Sequence, residues 1–318
     1  MSRYGSASEA NGRNIQIEQI HMSEFTLQGS IAALVTPFKT DGTIDYEAYD
    51  RLLDMHIANG TAGVVVCGTS GETPTLSEDE DAEMFRHSVQ YINHRMVVIA
   101  GTGSNSTESC IKYTRNAANA GVDAVLTVGP YYNKPTSNGM YQHFAAVAKA
   151  VNIPIILYNV PGRTGSAIKP DVALRLAHDF KNIVGIKEAT GNIMNMAQLI
   201  DGRPEGFKVY SGDDNISMLS NLIGGDGCIS VLANVVPADF AQLMKLSIEG
   251  NAVEARKLFY RYRTLMDLLF IESNPIPVKA ALAAMGLIKE VYRLPLCPME
   301  PANKQKLIDE LKKLQIIK

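Results

Sequence analysis

The residue with the most distinctive chemistry in this sequence is Lys187, which stands inside the apolar run Val184–Ala189. An ammonium group in a strand buried on both faces is costly to desolvate unless its pKa falls or it gains a partner. Its neighbour Glu188 should point to the opposite face, so it cannot neutralise the amine. Two interpretations stay open: a structural lysine that bridges to a carboxylate, or a neutral amine that attacks a carbonyl to form a Schiff base.

Tyr158 lies near the end of the preceding apolar run, Ile155–Asn159. In a parallel barrel, strands that follow each other in sequence are neighbours in space, so the phenol could reach the Lys187 amine. A tyrosine there can pass a proton between amine, carbinolamine and water. The alternative is a core aromatic whose hydroxyl bonds a backbone carbonyl, the commoner role of a lone tyrosine. Together, the two residues favour chemistry.

Polar loops follow other apolar runs. In Cys67–Glu72, the hydroxyls of Thr69 and Ser70 stand between glycines, which lets backbone amides and hydroxyls approach a ligand carboxylate. Taken alone, this segment is better explained as a turn with capping hydroxyls. Arg163 suits bidentate recognition of a carboxylate, although a surface arginine is the usual explanation. The pair Tyr131–Tyr132 fits either packing at an interface or chemistry.

These residues end short apolar runs that recur eight times, each followed by a segment with helical periodicity. Because the runs are apolar on both faces, they predict parallel strands covered on both sides. Eight such units suit a (β/α)8 TIM barrel, which needs about 250 residues. A doubly wound open sheet would favour a glycine fingerprint after the first strand, where Thr36–Phe38 stands instead. The predicted strands are Ile31–Phe38, Gly63–Gly68, Met96–Gly103, Ala124–Gly129, Pro154–Val160, Ile183–Ala189, Phe207–Gly212 and Gly227–Val231.

The chain divides into three parts by pattern. Residues 1–21 are polar, without the apolar core of a secretory signal, and we expect a disordered or non-native extension, with Met22 as a candidate start. Residues 22–249 carry the barrel pattern, and residues 250–318 read as an all-helical C-terminal extension. Its predicted helices are Ala252–Ile271, Val278–Met285 and Pro301–Leu314, with a break at Asn274–Pro277.

Composition excludes several classes of protein. The chain has 318 residues, 46% of them apolar, and a net charge of −3, which gives no support for a nucleic-acid or anionic-membrane partner. No apolar run approaches the roughly 20 residues that span a bilayer. The cysteines Cys67, Cys110, Cys228 and Cys297 are far apart and lack the spacing of a zinc site. We expect reduced thiols in a cytoplasmic protein and no metal site.

Several motifs, in order from Gly29 to Met299, together resemble the dihydrodipicolinate synthase family of pyruvate-dependent class I aldolases. Any one of them would be unspecific, and the set is highly specific. They are Gly68–Glu72, Gly129–Tyr132, Tyr158–Gly165, Gly185–Glu188, Ser211–Asp214, Gly227–Val231 and Asn274–Lys279.

The resemblance implies a lyase in the diaminopimelate route to lysine. Lys187 would form an imine with pyruvate, and loss of a methyl proton would give the enamine. That carbon would attack the aldehyde of L-aspartate 4-semialdehyde, and the amino group would close the ring of 4-hydroxy-tetrahydrodipicolinate. No metal or organic cofactor would be needed, because the imine itself is the electron sink.

The resemblance also assigns roles to the polar loop residues and an assembly. Tyr158, Tyr132 and a hydroxyl of the Thr69–Ser70 turn would relay protons, with Tyr132 reaching into a neighbouring subunit of a homotetramer built as a dimer of dimers. The substrate-binding set would be the Thr69–Ser70 turn for the pyruvate carboxylate, Arg163 for the semialdehyde carboxylate, the Ile229 carbonyl beside the lysine, and Gly212.

Two departures from the family pattern matter. The family turn usually carries two threonines, and here the second is Ser70, so we expect function with some change in rate. Lysine-inhibited members carry a histidine and a glutamate where this chain has Glu78 and Ser109, while Asn105 and Tyr131 are retained. We therefore expect lysine to inhibit weakly or not at all.

Two alternatives stay open. N-acetylneuraminate lyases and 2-keto-3-deoxy sugar acid aldolases share the lysine and the tyrosine, but they generally lack an arginine corresponding to Arg163. A non-catalytic barrel that only binds a keto acid would have no reason to keep Lys187, Tyr158 and Tyr132 together.

Overall fold

Eight parallel strands close into a barrel in chain order, and the (β/α)8 fold class predicted from the sequence is confirmed. The computed structural model describes residues 25–318, so the predicted extension at residues 1–21 and the candidate start at Met22 lie outside the described residues. The last strand pairs with the first, which leaves no open edge. The strands are β1 (Gly29–Ala33), β2 (Gly63–Val66), β3 (Val97–Gly101), β4 (Ala124–Val128), β5 (Ile155–Asn159), β6 (Ile183–Glu188), β7 (Lys208–Ser211) and β8 (Gly227–Ser230).

Helices cover the outside of the barrel and continue beyond its last strand. Short 3₁₀ turns at Thr73–Thr75 and Leu232–Asn234 follow β2 and β8. The helices are α1 (Tyr46–Ala58), α2 (Glu78–Ile92), α3 (Thr107–Asn119), α4 (Ser137–Ala150), α5 (Pro161–Thr164), α6 (Pro170–Asp179), α7 (Ile193–Gly202), α8 (Asp214–Leu222), α9 (Pro237–Ile248), α10 (Ala252–Leu268), α11 (Ile276–Ala284) and α12 (Pro301–Lys313).

The strands are apolar on both faces because each face packs against a different layer. In β2, Val65 belongs to the cluster that fills the barrel interior, while Val64 and Val66 belong to the larger cluster between strands and helices. Sequence signals for helix ends are present on the covering helices. Ser77 and Glu80 form a capping box at the start of α2. Gly60 and Gly121 follow α1 and α3 in the left-handed conformation.

The sequence prediction is wrong at the carboxyl end of β1, which stops at Ala33 and does not reach Phe38. The Leu34 amide still donates to the Val65 carbonyl of β2, but the Val35 amide donates to the side chain of Asn234, and Pro37 has no amide to donate. Apolar residues continue here because the segment is buried, with the Phe38 ring against Lys279 of α11, and apolarity alone does not distinguish a buried loop from a strand.

The C-terminal helices agree with prediction except at their ends. Helix α11 begins at Ile276 and not at Val278, because Pro277 lies in the first helical turn, where a missing amide leaves no bond unmade. Helix α10 ends at Leu268, three residues before the predicted end. Within residues 25–318, no helix is long and apolar enough to cross a membrane. The division of the chain into domains at residue 249 stays a prediction.

Candidate active site

Lys187 and Tyr158 are cross-strand partners on β6 and β5, and both point into the barrel mouth. The Lys187 Nζ lies 4.5 Å from the centroid of the Tyr158 ring. Both side chains are nearly enclosed, with 6% and 8% of their surfaces exposed. Among residues 25–318 no carboxylate forms an ion pair with Lys187. The structural-bridge interpretation of Lys187 therefore gains no support here.

Glu188 faces the opposite side of the strand, as expected from strand alternation. Its carboxylate accepts hydrogen bonds from the Asn159 side chain at 2.7 Å and from the Thr190 amide at 2.9 Å. Burial raises the pKa of this carboxyl, and the hydrogen bonds oppose that rise. Glu188 therefore has hydrogen-bond partners on the outer face of the strand and does not contact the Lys187 amine on the inner face.

A local irregularity in β6 turns Lys187 inward. Ile155 pairs with Ile183, but the next residue of β5 pairs with Gly185, so β6 contains one extra residue. Val184 packs inside the barrel and Ile186 packs outside it, which places Lys187 on the inner face. A glycine in a strand is a usual mark of such a bulge.

Gly212, just after β7, provides the space for the lysine side chain. A Cβ atom at this position would lie 2.9 Å from Lys187 Cε and 2.5 Å from the Ala189 Cβ, closer than real side chains approach. The predicted substrate-binding residue Gly212 therefore borders Lys187 directly. Ile229, on β8, is fully buried in the interior cluster.

The Thr69–Ser70 turn follows β2 at the same end of the barrel. Thr69 is half-buried, Ser70 is buried, and Ser70 Oγ accepts a hydrogen bond from the Asn274 side chain at 3.0 Å. Arg163, exposed on α5, donates from Nη2 to the backbone carbonyl of the same Asn274 at 3.0 Å. The two predicted carboxylate-binding elements thus meet at one residue.

Asn274 is a residue whose contacts sequence reasoning missed. The motif that contains it was part of the family resemblance, but nothing in the local pattern connects it to residues 111 and 204 positions away. The one available signal was a polar residue in front of the two prolines Pro275 and Pro277.

Tyr132 lies on the loop that follows β4. Its side chain is 87% exposed, and its backbone is left-handed, with φ of 71°. The Tyr132 amide donates to the Thr164 carbonyl, which ties this loop to the helix that carries Arg163. A large aromatic residue in this backbone conformation is uncommon and suggests a functional constraint.

Comparison with known proteins decides the family. Residues 26–314 match the Dihydrodipicolinate synthetase family. The chain belongs to this family. A relative named 4-hydroxy-tetrahydrodipicolinate synthase, from Chlorobium luteolum, is 49% identical over 296 residues, which are 93% of this chain and 100% of that protein.

Solved structures of the Dihydrodipicolinate synthetase family share the fold. The synthase from Acinetobacter baumannii, described as chloride inhibited and complexed with pyruvate, has 46% identity and a TM-score of 0.90, covering 92% of this chain and 100% of that one. The synthase from Aquifex aeolicus has 43% identity and a TM-score of 0.89, covering 91% and 99%. The family resemblance read from the motifs is confirmed.

Glu78 and Ser109, the positions where the sequence departs from lysine-inhibited members of the family, lie at the start of α2 and α3. The Glu78 carboxylate already pairs with the Lys112 ammonium at 2.6 Å. The Ser109 amide donates to the hydroxyl of Ser106, the residue that caps α3. The Glu78 carboxylate, which stands in place of a histidine, is therefore already paired with a cation of the same chain.

Proposed function

We propose that this chain condenses pyruvate with L-aspartate 4-semialdehyde to give 4-hydroxy-tetrahydrodipicolinate, in the diaminopimelate route to lysine. The observation that carries the proposal is the Lys187 amine, enclosed at the barrel mouth 4.5 Å from the Tyr158 ring, in a chain of the Dihydrodipicolinate synthetase family. The family relatives named as this synthase support the choice of reaction.

The reaction runs through an imine on Lys187. Its Nζ adds to the keto carbon of pyruvate and water leaves. Loss of a methyl proton gives an enamine, whose carbon attacks the aldehyde of the semialdehyde, and the aldehyde oxygen takes up a proton to become the hydroxyl. The amino group of the semialdehyde then adds to the imine carbon and displaces Lys187, which closes the ring and frees the amine. The imine is the electron sink, so this scheme uses no metal or organic cofactor.

Proton transfers fall to Tyr158, Thr69 and Tyr132. The Tyr158 ring lies against the Lys187 amine, and a positioned phenol of this kind typically accelerates a step about 10²–10⁴-fold. Tyr132 acts in the site of a neighbouring subunit, which its 87% exposure within one chain allows. Thr69 links the other two hydroxyls.

Substrate carboxylates are held by hydroxyl, amide and guanidinium donors. The Thr69–Ser70 turn binds the carboxylate of pyruvate, and Arg163 binds that of the semialdehyde through its planar fork. Gly212 leaves room for the adduct on Lys187, and the carbonyl of Ile229 lies beside it. The shared contact of Ser70 and Arg163 with Asn274 supports a single site for both substrates.

The assembly we propose is a homotetramer in the cytoplasm, built as a dimer of dimers. The exposed Tyr132 supports it, because a proton relay through this residue requires a second copy of the chain. The four cysteines are free thiols, three of them buried, which suits a reducing compartment.

Reduction with borohydride in the presence of pyruvate tests the first step. The wild-type chain should gain a pyruvate adduct that mass spectrometry locates on Lys187, and Lys187→Ala should lose both the adduct and the activity. Lys149→Ala, which removes an exposed lysine of α4, is the matched control and should keep both. An adduct on another lysine, or normal turnover by Lys187→Ala, would overturn the proposal.

A further inference from the structure

Behind the Thr69–Ser70 turn, two opposite charges are buried without contact with water. The Lys279 ammonium, on α11, forms an ion pair with the Glu72 carboxylate, and their side chains are 0% and 1% exposed. The second oxygen of Glu72 accepts the backbone amide of Arg293 at 3.1 Å. None of these groups belongs to the catalytic scheme above.

Fold stability alone does not explain this ion pair. Desolvating two charges costs about as much as their attraction returns, and an apolar pair of similar size usually serves as well or better. Burial lowers the pKa of Lys279, while the Glu72 charge opposes that shift. The ring of Phe38, 4.3 Å from Lys279 Nζ, gives the ammonium a second favourable contact. We therefore expect the pair to fix the relative position of the two segments that carry it, because a buried ion pair tolerates few arrangements of its two charges.

Glu72 adjoins the Thr69–Ser70 turn and is hydrogen-bonded to it. Its amide donates to the Thr69 carbonyl at 3.2 Å, and its backbone is left-handed, with φ of 57°. The Gly71 carbonyl accepts a hydrogen bond from Thr36 on the other side. A displacement of Glu72 therefore moves Thr69 and Ser70 directly.

The partner of Glu72 is fixed to the same site from the other end of the chain. The Lys279 amide donates to the Pro275 carbonyl in the first turn of α11. The preceding residue is Asn274, which donates to Ser70 and accepts from Arg163. The beginning of α11 thus contacts the turn twice, once through an amide at Ser70 and once through a charge at Glu72.

We infer that Lys279 is a positioning residue: through Glu72 it holds the Thr69–Ser70 turn against α11 in the arrangement that binds the pyruvate carboxylate. The inference rests on the proposed function. It assigns the C-terminal extension a part in pyruvate binding, although Lys279 touches neither substrate. Arg293 supports the same contact, since its guanidinium binds Glu80 and the Gly42 carbonyl beside the turn.

Three variants separate positioning from folding: Lys279→Met, Glu72→Gln, and the double variant Lys279→Met with Glu72→Gln. Lys279→Met leaves a buried carboxylate without its cation, so both thermal stability and pyruvate affinity should fall. The double variant buries no net charge, and its melting temperature should return close to that of the wild type. Its KM for pyruvate should nevertheless stay raised by about tenfold or more, because a displaced turn misplaces its donors. The KM for the semialdehyde should change by a much smaller factor.

Lys257→Met is the matched control, since Lys257 pairs with Glu254 on the surface, and it should change neither stability nor KM. If the double variant recovers pyruvate affinity together with stability, the pair is only structural and the inference is wrong. Glu72→Gln alone decides the matter should Lys279→Met fail to fold, because an unchanged pyruvate KM there would also contradict it. Borohydride trapping of the wild type distinguishes a failure of the inference from a failure of the proposed function. No adduct on wild-type Lys187 would overturn the proposed function itself, and the inference with it.

Discussion

Lys187 packs so closely against Gly212 that no side chain fits at position 212. A Cβ atom on Gly212 would lie 2.9 Å from Cε and 3.1 Å from Cγ of Lys187. The lysine side chain thus passes along bare backbone on its way to the barrel mouth. A methyl group on residue 212 would occupy the space that the Lys187 side chain uses, so this contact determines where the amine can lie.

The Gly212→Ala variant should therefore lose imine formation while remaining folded. The added methyl group would overlap the side chains of Ala189 and Lys187 and must displace the lysine, and a displacement of about 1 Å typically costs about 10²-fold in rate. Borohydride trapping with pyruvate measures this loss, and circular dichroism checks the fold. Gly162→Ala is the matched control, because a Cβ atom there meets no atom within 4 Å. Equal trapping in the two variants would show that the contact does not position the amine.

The barrel could be predicted from the sequence, but the inward direction of Lys187 could not. Eight doubly apolar runs separated by helices are a repeated, local signal, and seven predicted strands differ from the observed ones by no more than one or two residues at either end. The orientation of Lys187 depends on the irregularity at Gly185, which shifts the register against β5 by one residue. A one-residue shift moves every later side chain of a strand to the other face.

The contacts that the C-terminal extension makes with the barrel also could not be predicted from the sequence. Asn274 meets Ser70 across 204 residues of chain, and Lys279 meets Glu72 across 207. Periodicity and capping describe neighbours in sequence, whereas such contacts depend on how α11 packs over the barrel mouth. A buried lysine in an otherwise apolar helix is the only local trace of the ion pair, and it names no partner.

Free lysine should inhibit this enzyme weakly or not at all. The Glu78 carboxylate is paired with Lys112 at 2.6 Å, and Ser109 offers no carboxylate in the place where inhibited members carry a glutamate. The two charged ends of lysine therefore lack the arrangement of partners that those members provide. Initial rates at rising, submillimolar lysine should stay flat. A steady inhibition curve in that range would contradict the expectation. The double variant Glu78→His with Ser109→Glu is the reciprocal test and should gain sensitivity.

Acid should destabilise the fold through His56. This side chain of α1 is fully buried, with its Nδ1 2.9 Å from the Thr61 hydroxyl, and desolvation lowers its pKa to about 4 from 6.5. Between these values the unfolded chain binds a proton that the folded chain does not. The free energy of unfolding must then fall as pH drops from 6.5 to about 4, by about 3 kcal/mol from this residue. Above pH 6.5 the contribution is constant.

Urea unfolding at a series of pH values measures this effect as a difference between variants. His56→Gln should show a flatter dependence than the wild type between pH 6.5 and about 4, because its side chain does not titrate. His94→Gln, which replaces an exposed histidine, should follow the wild type and serves as the control. Parallel curves for wild type and His56→Gln across this range would show that His56 is not a source of the acid sensitivity.

Arg163 should separate the proposed synthase from a sugar-acid lyase on the same barrel. Arg163→Lys keeps the charge but loses the planar fork that bonds a carboxylate twice. The KM for aspartate semialdehyde should rise by about 10–100-fold, the loss expected for hydrogen bonds to a charged group. Pyruvate trapping on Lys187 should persist, because Asn274 is still held by Ser70.

The control for Arg163 is Arg175→Lys, on the exposed face of α6, which should leave both substrates unaffected. Cleavage of sialic acid should be measured with the same proteins, because it tests the alternative lyase function directly. If Arg163 binds the carboxylate of the semialdehyde, Arg163→Lys should lower the rate of condensation and leave imine formation with pyruvate unchanged. Wild-type cleavage of sialic acid faster than condensation, or an unchanged semialdehyde KM in Arg163→Lys, would favour the lyase and remove Arg163 from the semialdehyde site.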